Sequence, residues 1–331
     1  MAETNSRMET ILKAEKLTKD YPVLKGLIIP KEIGRVKAVN DISFEIQSGE
    51  TLGVIGESGC GKTTLARIVM GLEDVSSGSV SFMGKTIKKG MSKDLRRHIQ
   101  MIFQDPYSSL DPRMSVRRIL EEPLRIHCKM TKDERLDRVL PLLEQVGLPA
   151  ESLERYPHEF SGGQRQRIGI ARALILEPEL IVCDEPVSAL DVSVQAQILN
   201  LLRSLQKEKH LSYLFVSHDM SVIRHISDRI LVMYLGQMME LADKRTLFET
   251  PAHPYTKALM KAVPVPDPEI KDQCHVLKGE IPSPVDVPSG CPFCTRCPKS
   301  MGICSQSRPE VNEIEDGHFV ACHLYNKEEA K

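Results

Sequence analysis

Hydrophobic and polar positions along this chain follow two periods. Apolar residues alternate with polar ones through Ala38-Val39-Asn40-Asp41-Ile42-Ser43-Phe44-Glu45-Ile46, and more loosely through residues 10–17, which predicts two half-buried strands. Residues 21–37, between them, read as an insertion punctuated by Pro and Gly, and Ser48-Gly49-Glu50 reads as a turn. Leu180-Ile181-Val182-Cys183 is apolar without alternation, as expected of a strand buried on both faces of a parallel sheet. Shorter apolar runs at 51–55, 99–103 and 211–217 predict further strands, and 77–84 and 229–240 read as hairpins. Helical spacing appears at 64–70, 116–126, 132–146, 168–176 and 194–205, with Gly147 and Pro149 stopping the third. The expected architecture is α/β, with an antiparallel β subdomain and a helical insert at about 105–160. A first domain is expected over 1–250 and a second over 251–331.

The candidate chemistry sits where the apolar runs end. Gly56-Glu57-Ser58-Gly59-Cys60-Gly61-Lys62-Thr63-Thr64 fits G-x-x-x-x-G-K-S/T between a strand and a helix. Glycines let such a backbone turn its N–H groups onto phosphate oxygens, and the following helix points its positive end at the anion. Lys62 is expected to reach the β- and γ-phosphates and the Thr63 hydroxyl to ligate Mg²⁺. Asp184 closes the buried run and can hold Mg²⁺ through water, while Glu185 beside it can polarise an attacking water. Gln104 and His218 follow two other strands. Gln104 can point at a metal-bound water or a γ-phosphate, or it is a polar strand end. His218 is placed for γ-phosphate contact, since ligands of open α/β sheets bind beyond the carboxyl ends of strands. Ser161-Gly162-Gly163-Gln164 opens a helix with Ser161 as a natural N-cap, a second anion site. Tyr21 either stacks on a base or is an ordinary surface aromatic.

Composition narrows this picture slightly. Hydrophobic residues make up 41% and charged residues 27% of 331, ordinary for a soluble globular protein of about two domains. The net charge of −1 carries no basic bias toward nucleic acid, and none is expected as a partner. No signal-peptide pattern and no run of 18 apolar residues appears, so an intracellular chain without a membrane span is expected. Nine cysteines in a reducing compartment are not read as disulfides, and five of them lie between Cys291 and Cys322. Cys60, Cys128 and Cys274 are read as unrelated thiols, and Cys183 as a small buried hydrophobe.

In this order the segments resemble the ATP-binding subunits of ABC transporters, over nearly the whole chain. Residues 56–63 match the Walker A motif, Gln104 the Q-loop, and Ser161-Gly162-Gly163-Gln164 the signature, with Phe160 where Leu is usual. Residues 180–184 with Glu185 match Walker B and the catalytic glutamate, residues 188–191 the D-loop, and His218 the switch histidine. The resemblance implies a P-loop NTPase (RecA-like) core binding ATP and Mg²⁺, with Thr63, Gln104 and Asp184 at the metal and Tyr21 on the adenine. Glu185, His218 and Gln104 are then the catalytic set. Nucleotide contacts are implied for Gly56, Ser58, Gly59, Cys60, Gly61, Lys62, Thr63 and Thr64, and across a dimer for Ser161, Gly163 and Gln164.

A narrower resemblance, to the oligopeptide/dipeptide importer branch, rests on three stretches. They are Phe103-Gln104-Asp105-Pro106-Tyr107-Ser108-Ser109-Leu110-Asp111-Pro112, His253-Pro254-Tyr255-Thr256, and Gly279-Glu280-Ile281-Pro282-Ser283-Pro284. The insertion at 22–37 is similar to that of the second of the branch's two ATPase subunits. The partners implied are a paralogous ATPase (or a second copy), two transmembrane permeases and an extracytoplasmic substrate-binding protein. The location implied is peripheral, at the cytoplasmic face of the membrane. Nickel or glutathione importers and a non-transport ABC ATPase are the alternatives.

Cys291, Cys297, Cys304 and Cys322 also match the branch pattern, and Cys294 is an addition. Their spacing is not that of a zinc ribbon, and Cys291-x₂-Cys294-x₂-Cys297 resembles a ferredoxin-type run. The resemblance implies a 4Fe-4S cluster on Cys291, Cys297, Cys304 and Cys322. Zn²⁺, with His318 or His323 as ligands, and free thiols remain the alternatives.

Overall fold

The buried runs of the sequence pair side by side. In the computed structural model, which describes residues 9–26, 31–261, 279–280 and 282–326, they form one half of an eight-stranded sheet. Cys274 and Ile281 lie outside the described residues. The strands are β1 (Thr10–Lys25), β2 (Lys31–Gln47), β3 (Thr51–Ile55), β4 (Ser77–Phe82), β5 (Lys85–Thr86) and β6 (Ile99–Ile102). They continue with β7 (Leu180–Asp184), β8 (Ser212–Ser217), β9 (Arg229–Tyr234), β10 (Gln237–Asp243), β11 (Val311–Glu315) and β12 (His318–Ala321). The large sheet runs β11-β12-β10-β9-β3-β8-β7-β6, parallel from β9 to β6 and antiparallel beyond it.

Side chains of β7 and β8 alternate between two cores, as the pleat requires. Ile181, Cys183, Tyr213 and Phe215 face the helical insert and the C-terminal segment. Leu180, Val182, Leu214 and Val216 face the helix Lys62–Val69 and the smaller sheet, ordered β2-β1-β4-β5. The first core is carried by the helices Val116–His127, Lys132–Gln145 and Gly162–Leu174, with Val192–Lys209 and Met220–Ile226 packed into it as well. The second of these starts with a capping box, the Thr131 hydroxyl accepting from Glu134 N–H and the Glu134 carboxylate from Thr131 N–H.

Two regions differ from the sequence expectation. The segment 21–37 is not a separate insertion in its described part: β1 and β2 run on through it as one long hairpin, paired as far as Lys25 with Lys31. Pro22 is accommodated because the pairing shifts register repeatedly and β4 leaves β1 after Thr18. The C-terminal segment also contributes to the main sheet, β12 pairing with β10 through Glu240–Val320 and Leu241–Phe319. No helix among the described residues is long and apolar enough to cross a membrane.

Candidate active site

Four parallel strands, β6, β3, β8 and β7, point their carboxyl ends the same way, and the candidate residues follow those ends. After β3 the chain turns through residues 56–61 into the helix Lys62–Val69. Gly61 has φ +103°, and a Cβ there would lie 1.9 Å from the Ala38 carbonyl oxygen, so only glycine fits. Lys62 is buried, its Nζ donating to the carbonyls of Gly56 at 2.7 Å and Glu57 at 3.0 Å. Cys60 is buried beside it, and burial pushes its thiol pKa up.

Thr63 Oγ1 donates to Asp184 Oδ1 at 3.3 Å, joining the first turn of the helix to the end of β7. Burial raises the Asp184 pKa above the usual carboxylate range, opposed by the Thr63 hydroxyl. Glu185, the next residue, has φ +47°, a backbone conformation that costs a glutamate energy, and its N–H donates to Val216 O at 3.0 Å. That turn aims its carboxylate at two partners. Gln104 Nε2 donates to Glu185 Oε2 at 3.0 Å, and His218 Nδ1 lies 3.1 Å from the same oxygen.

Most of these groups border one cavity of about 510 Å³; Asp184 does not line it and lies behind Thr63, to which it is bonded. Ser58, Gly59, Gly61, Lys62, Thr63, Thr64, Gln104, Glu185 and His218 line the cavity. Gly56 and Cys60 do not line it; a Cβ on Gly56 would meet the Met233 carbonyl oxygen at 2.1 Å, so that position answers to packing. Tyr21 stands beside the cavity rather than in its lining. It faces Val36, which does line the cavity, and its hydroxyl donates to Glu73. Ser161, Gly163 and Gln164 are not brought to the cavity. They form a capping box at the head of the helix Gly162–Leu174, Gln164 N–H donating to Ser161 Oγ at 3.3 Å and Ser161 N–H to Gln164 Oε1 at 3.0 Å.

Sequence reasoning missed part of the wall. Lys37 and Ala38 of β2, Leu235 and Gly236 of the β9–β10 turn, and Pro284 and Val287 of the C-terminal segment all line the cavity. Pro284 stood in a stretch noted only for its resemblance, with no signal of where it packs.

The cysteine reading needs a correction. The thiols of residues 291–322 lie near one another: Cys291 is raised to about 12, chiefly by burial and further by Cys322, Cys304 and Cys294 nearby. Burial raises Cys297 and Cys322 as well. Yet among the described residues no group of three or more His, Cys, Asp or Glu side chains is arranged to hold a metal ion. The sulfur of Cys304 instead accepts from Met301 N–H at 3.4 Å. Neither proposed zinc ligand is free: His318 Nε2 bonds Glu240 Oε1 at 2.8 Å and His323 Nε2 bonds Ser307 O at 2.9 Å. Among the described residues, then, neither the 4Fe-4S cluster nor Zn²⁺ fits this arrangement.

Comparison with known proteins agrees with the geometry. Residues 39–188 match the ABC transporter family, and residues 239–304 match the oligopeptide/dipeptide transporter C-terminal region. The oligopeptide transport ATP-binding protein AppF of Bacillus subtilis is 52% identical over 329 residues, spanning 98% of this chain and 100% of its own length. The oligopeptide transport ATP-binding protein OppF of Haemophilus influenzae is 53% identical over 293 residues, 87% of this chain and 88% of its own. Among solved structures, the dimeric ATP-binding cassette MJ0796 in a post-hydrolysis state bound to ADP and Pi superposes with a TM-score of 0.61 at 29% identity. It covers 71% of this chain and 99% of its own. At these identities and coverages the chain belongs to the ABC transporter family, in its oligopeptide/dipeptide branch of ATP-binding proteins.

Proposed function

We propose that this chain is the ATP-hydrolysing subunit that powers import of di- or oligopeptides through a membrane permease. The observation that carries the hydrolytic part is the convergence of Gln104 and His218 on one oxygen of Glu185, at the mouth of the phosphate loop. Glu185 is the general base: it takes a proton from water as the water oxygen bonds to the γ-phosphorus and the bond to the β-phosphate oxygen breaks. ADP and inorganic phosphate leave. His218 and Gln104 hold the carboxylate in place, and Lys62 and the loop N–H groups take the phosphate charge. Thr63 and Asp184 offer hard oxygen donors that fit Mg²⁺, which supplies charge neutralisation on the phosphates.

The signature residues lie away from the cavity, which supports assembly with a second cassette whose nucleotide they would cap. The helix N-terminus opened by Ser161 then receives the γ-phosphate of the partner's ATP, and phosphate release opens the pair. A paralogous ATPase, two permeases and a substrate-binding protein complete the assembly, with this chain peripheral at the cytoplasmic face. Exposed Tyr107, Ile126 and Tyr156 of the helical region suit contact with a permease. The peptide cargo rests on the relatives' names and on the C-terminal match.

The test is Glu185→Gln in the native host, with uptake of labelled dipeptides and longer peptides. Loss of uptake of either class supports the reading and names the class. Unchanged uptake of both would remove peptide import while leaving hydrolysis to be measured on the purified chain.

A further inference from the structure

The C-terminal segment grips the phosphate loop directly. Arg296 Nη1 donates to Glu57 Oε2 at 2.8 Å and Nη2 to Oε1 at 3.1 Å, a two-pronged ion pair between residues 239 positions apart. Arg296 is 6% exposed and Glu57 21%, so solvent screens the pair weakly. Glu57 is the second residue of the loop. Its backbone N–H is also taken, donating to the Tyr255 hydroxyl at 3.1 Å. The arginine is held in turn: its Nη1 donates to the Tyr234 hydroxyl at 3.2 Å, and its backbone N–H donates to Phe293 O at 3.0 Å. Phe293 is fully buried, with ring centroids 5.4 Å from Tyr234 and 5.2 Å from Tyr255. From the same segment, Pro284 and Val287 form part of the nucleotide cavity wall.

A carboxylate within a loop that must bind a triphosphate opposes its ligand. Glu57 does not line the cavity, so its charge acts through space, where a tight partner cancels it. A planar guanidinium with both prongs engaged also fixes the direction of the loop's first turn, which a point charge does less well.

We propose that Arg296 is a positioning residue for ATP: it neutralises Glu57 and, with Tyr255, holds the start of the phosphate loop, so that the C-terminal segment sets the ATP affinity of this chain. The proposal rests on the ATPase reading above.

The test is equilibrium binding of Mg-ATP to the purified full chain, with steady-state hydrolysis alongside. Arg296→Ala should raise the Kd about tenfold, and the KM with it, leaving kcat within about twofold. Glu57→Gln should bind ATP at least as well as the unaltered chain. The double variant should return to within about threefold of it, because the uncompensated charge is gone. Arg296→Lys should fall between, and it serves in place of Arg296→Ala if that variant does not fold. Tyr325→Phe loosens the segment elsewhere, at its 3.2 Å bond to Ala252 O, and should not move the Kd. An unchanged Kd in Arg296→Ala, a double variant as weak as Arg296→Ala, or an equal rise in Tyr325→Phe would each overturn the proposal. Failure of the unaltered chain to bind ATP would instead remove the ATPase reading.

Discussion

His218 Nδ1 and Glu185 Oε2 lie 3.1 Å apart, and the oxygen they share also accepts from Gln104 Nε2 at 3.0 Å. Three strand ends thereby meet at one atom. Glu185→Gln should retain ATP binding and lose about 10²–10⁴-fold in hydrolysis, measured by phosphate release at saturating ATP. His218→Ala leaves the base but not its orientation, and should lose about 10–100-fold in the same assay. Near-normal hydrolysis in Glu185→Gln would take the base assignment away.

Asp184 makes a prediction about stability. Its pKa is raised by burial, so the native state holds this proton to higher pH than the unfolded chain. Stability therefore falls as pH rises through the window between the two values, and at neutral pH the ionised carboxylate is a net cost. Asp184→Asn should raise the unfolding midpoint at pH 7 by about 2 °C while abolishing Mg-dependent hydrolysis. The gain should shrink as the buffer is acidified. A lowered midpoint at pH 7 would mean that the Thr63 hydrogen bond outweighs the burial.

Much of this site was legible because it is local in sequence. The phosphate loop, Asp184-Glu185 and His218 each end a run whose apolar residues announce a buried strand, and a parallel sheet brings such ends together. The long β1–β2 hairpin was hidden because Pro22 and Gly34 read as breakers, while a bulged edge ladder tolerates them. The roles of Pro284, Val287 and Arg296 were not legible at all. Each depends on a contact across more than 200 positions or on a cavity wall, and neither leaves a periodic trace. The metal site that the resemblance implied for the cysteines is not assembled among the described residues.

Gly163 separates binding from assembly. A Cβ at that position would lie 2.5 Å from Val194 Cγ1, so Gly163→Ala forces either that side chain or the signature helix to shift, and we predict that the helix moves away from the helix Val192–Lys209. ATP binding to the single chain should be unchanged, since Gly163 does not line the cavity. Hydrolysis by the assembled protein should fall about tenfold, because the signature is then displaced from the partner's nucleotide. A matching loss of ATP affinity in the isolated chain would contradict this.

Glu240 anchors the C-terminal segment. It is fully buried and accepts from Ala252 N–H at 2.7 Å, His253 N–H at 2.9 Å and His318 Nε2 at 2.8 Å. His318→Ala strips one partner from a buried carboxylate and should cost about 2–3 kcal/mol, read by denaturant unfolding. A cost below about 0.5 kcal/mol would show the carboxylate satisfied without it.

The pairing of β12 with β10 also has a consequence for the order in which the chain is made. From Asp243, the last residue of β10, to His318, the first of β12, the ribosome must add 75 residues. At roughly 5–20 residues per second that takes about 4–15 s. Throughout that interval β10 is the open edge of a nearly finished sheet, with apolar Met238, Met239 and Leu241 along it. An edge of that kind invites pairing with another nascent chain. Glu240 sits in the middle of it, and a charge pointing inward from an edge strand discourages a foreign strand from docking. The carboxylate that fastens the finished protein, held early by the Ala252 and His253 N–H groups, thus also disfavours a foreign strand at this edge until β12 covers it.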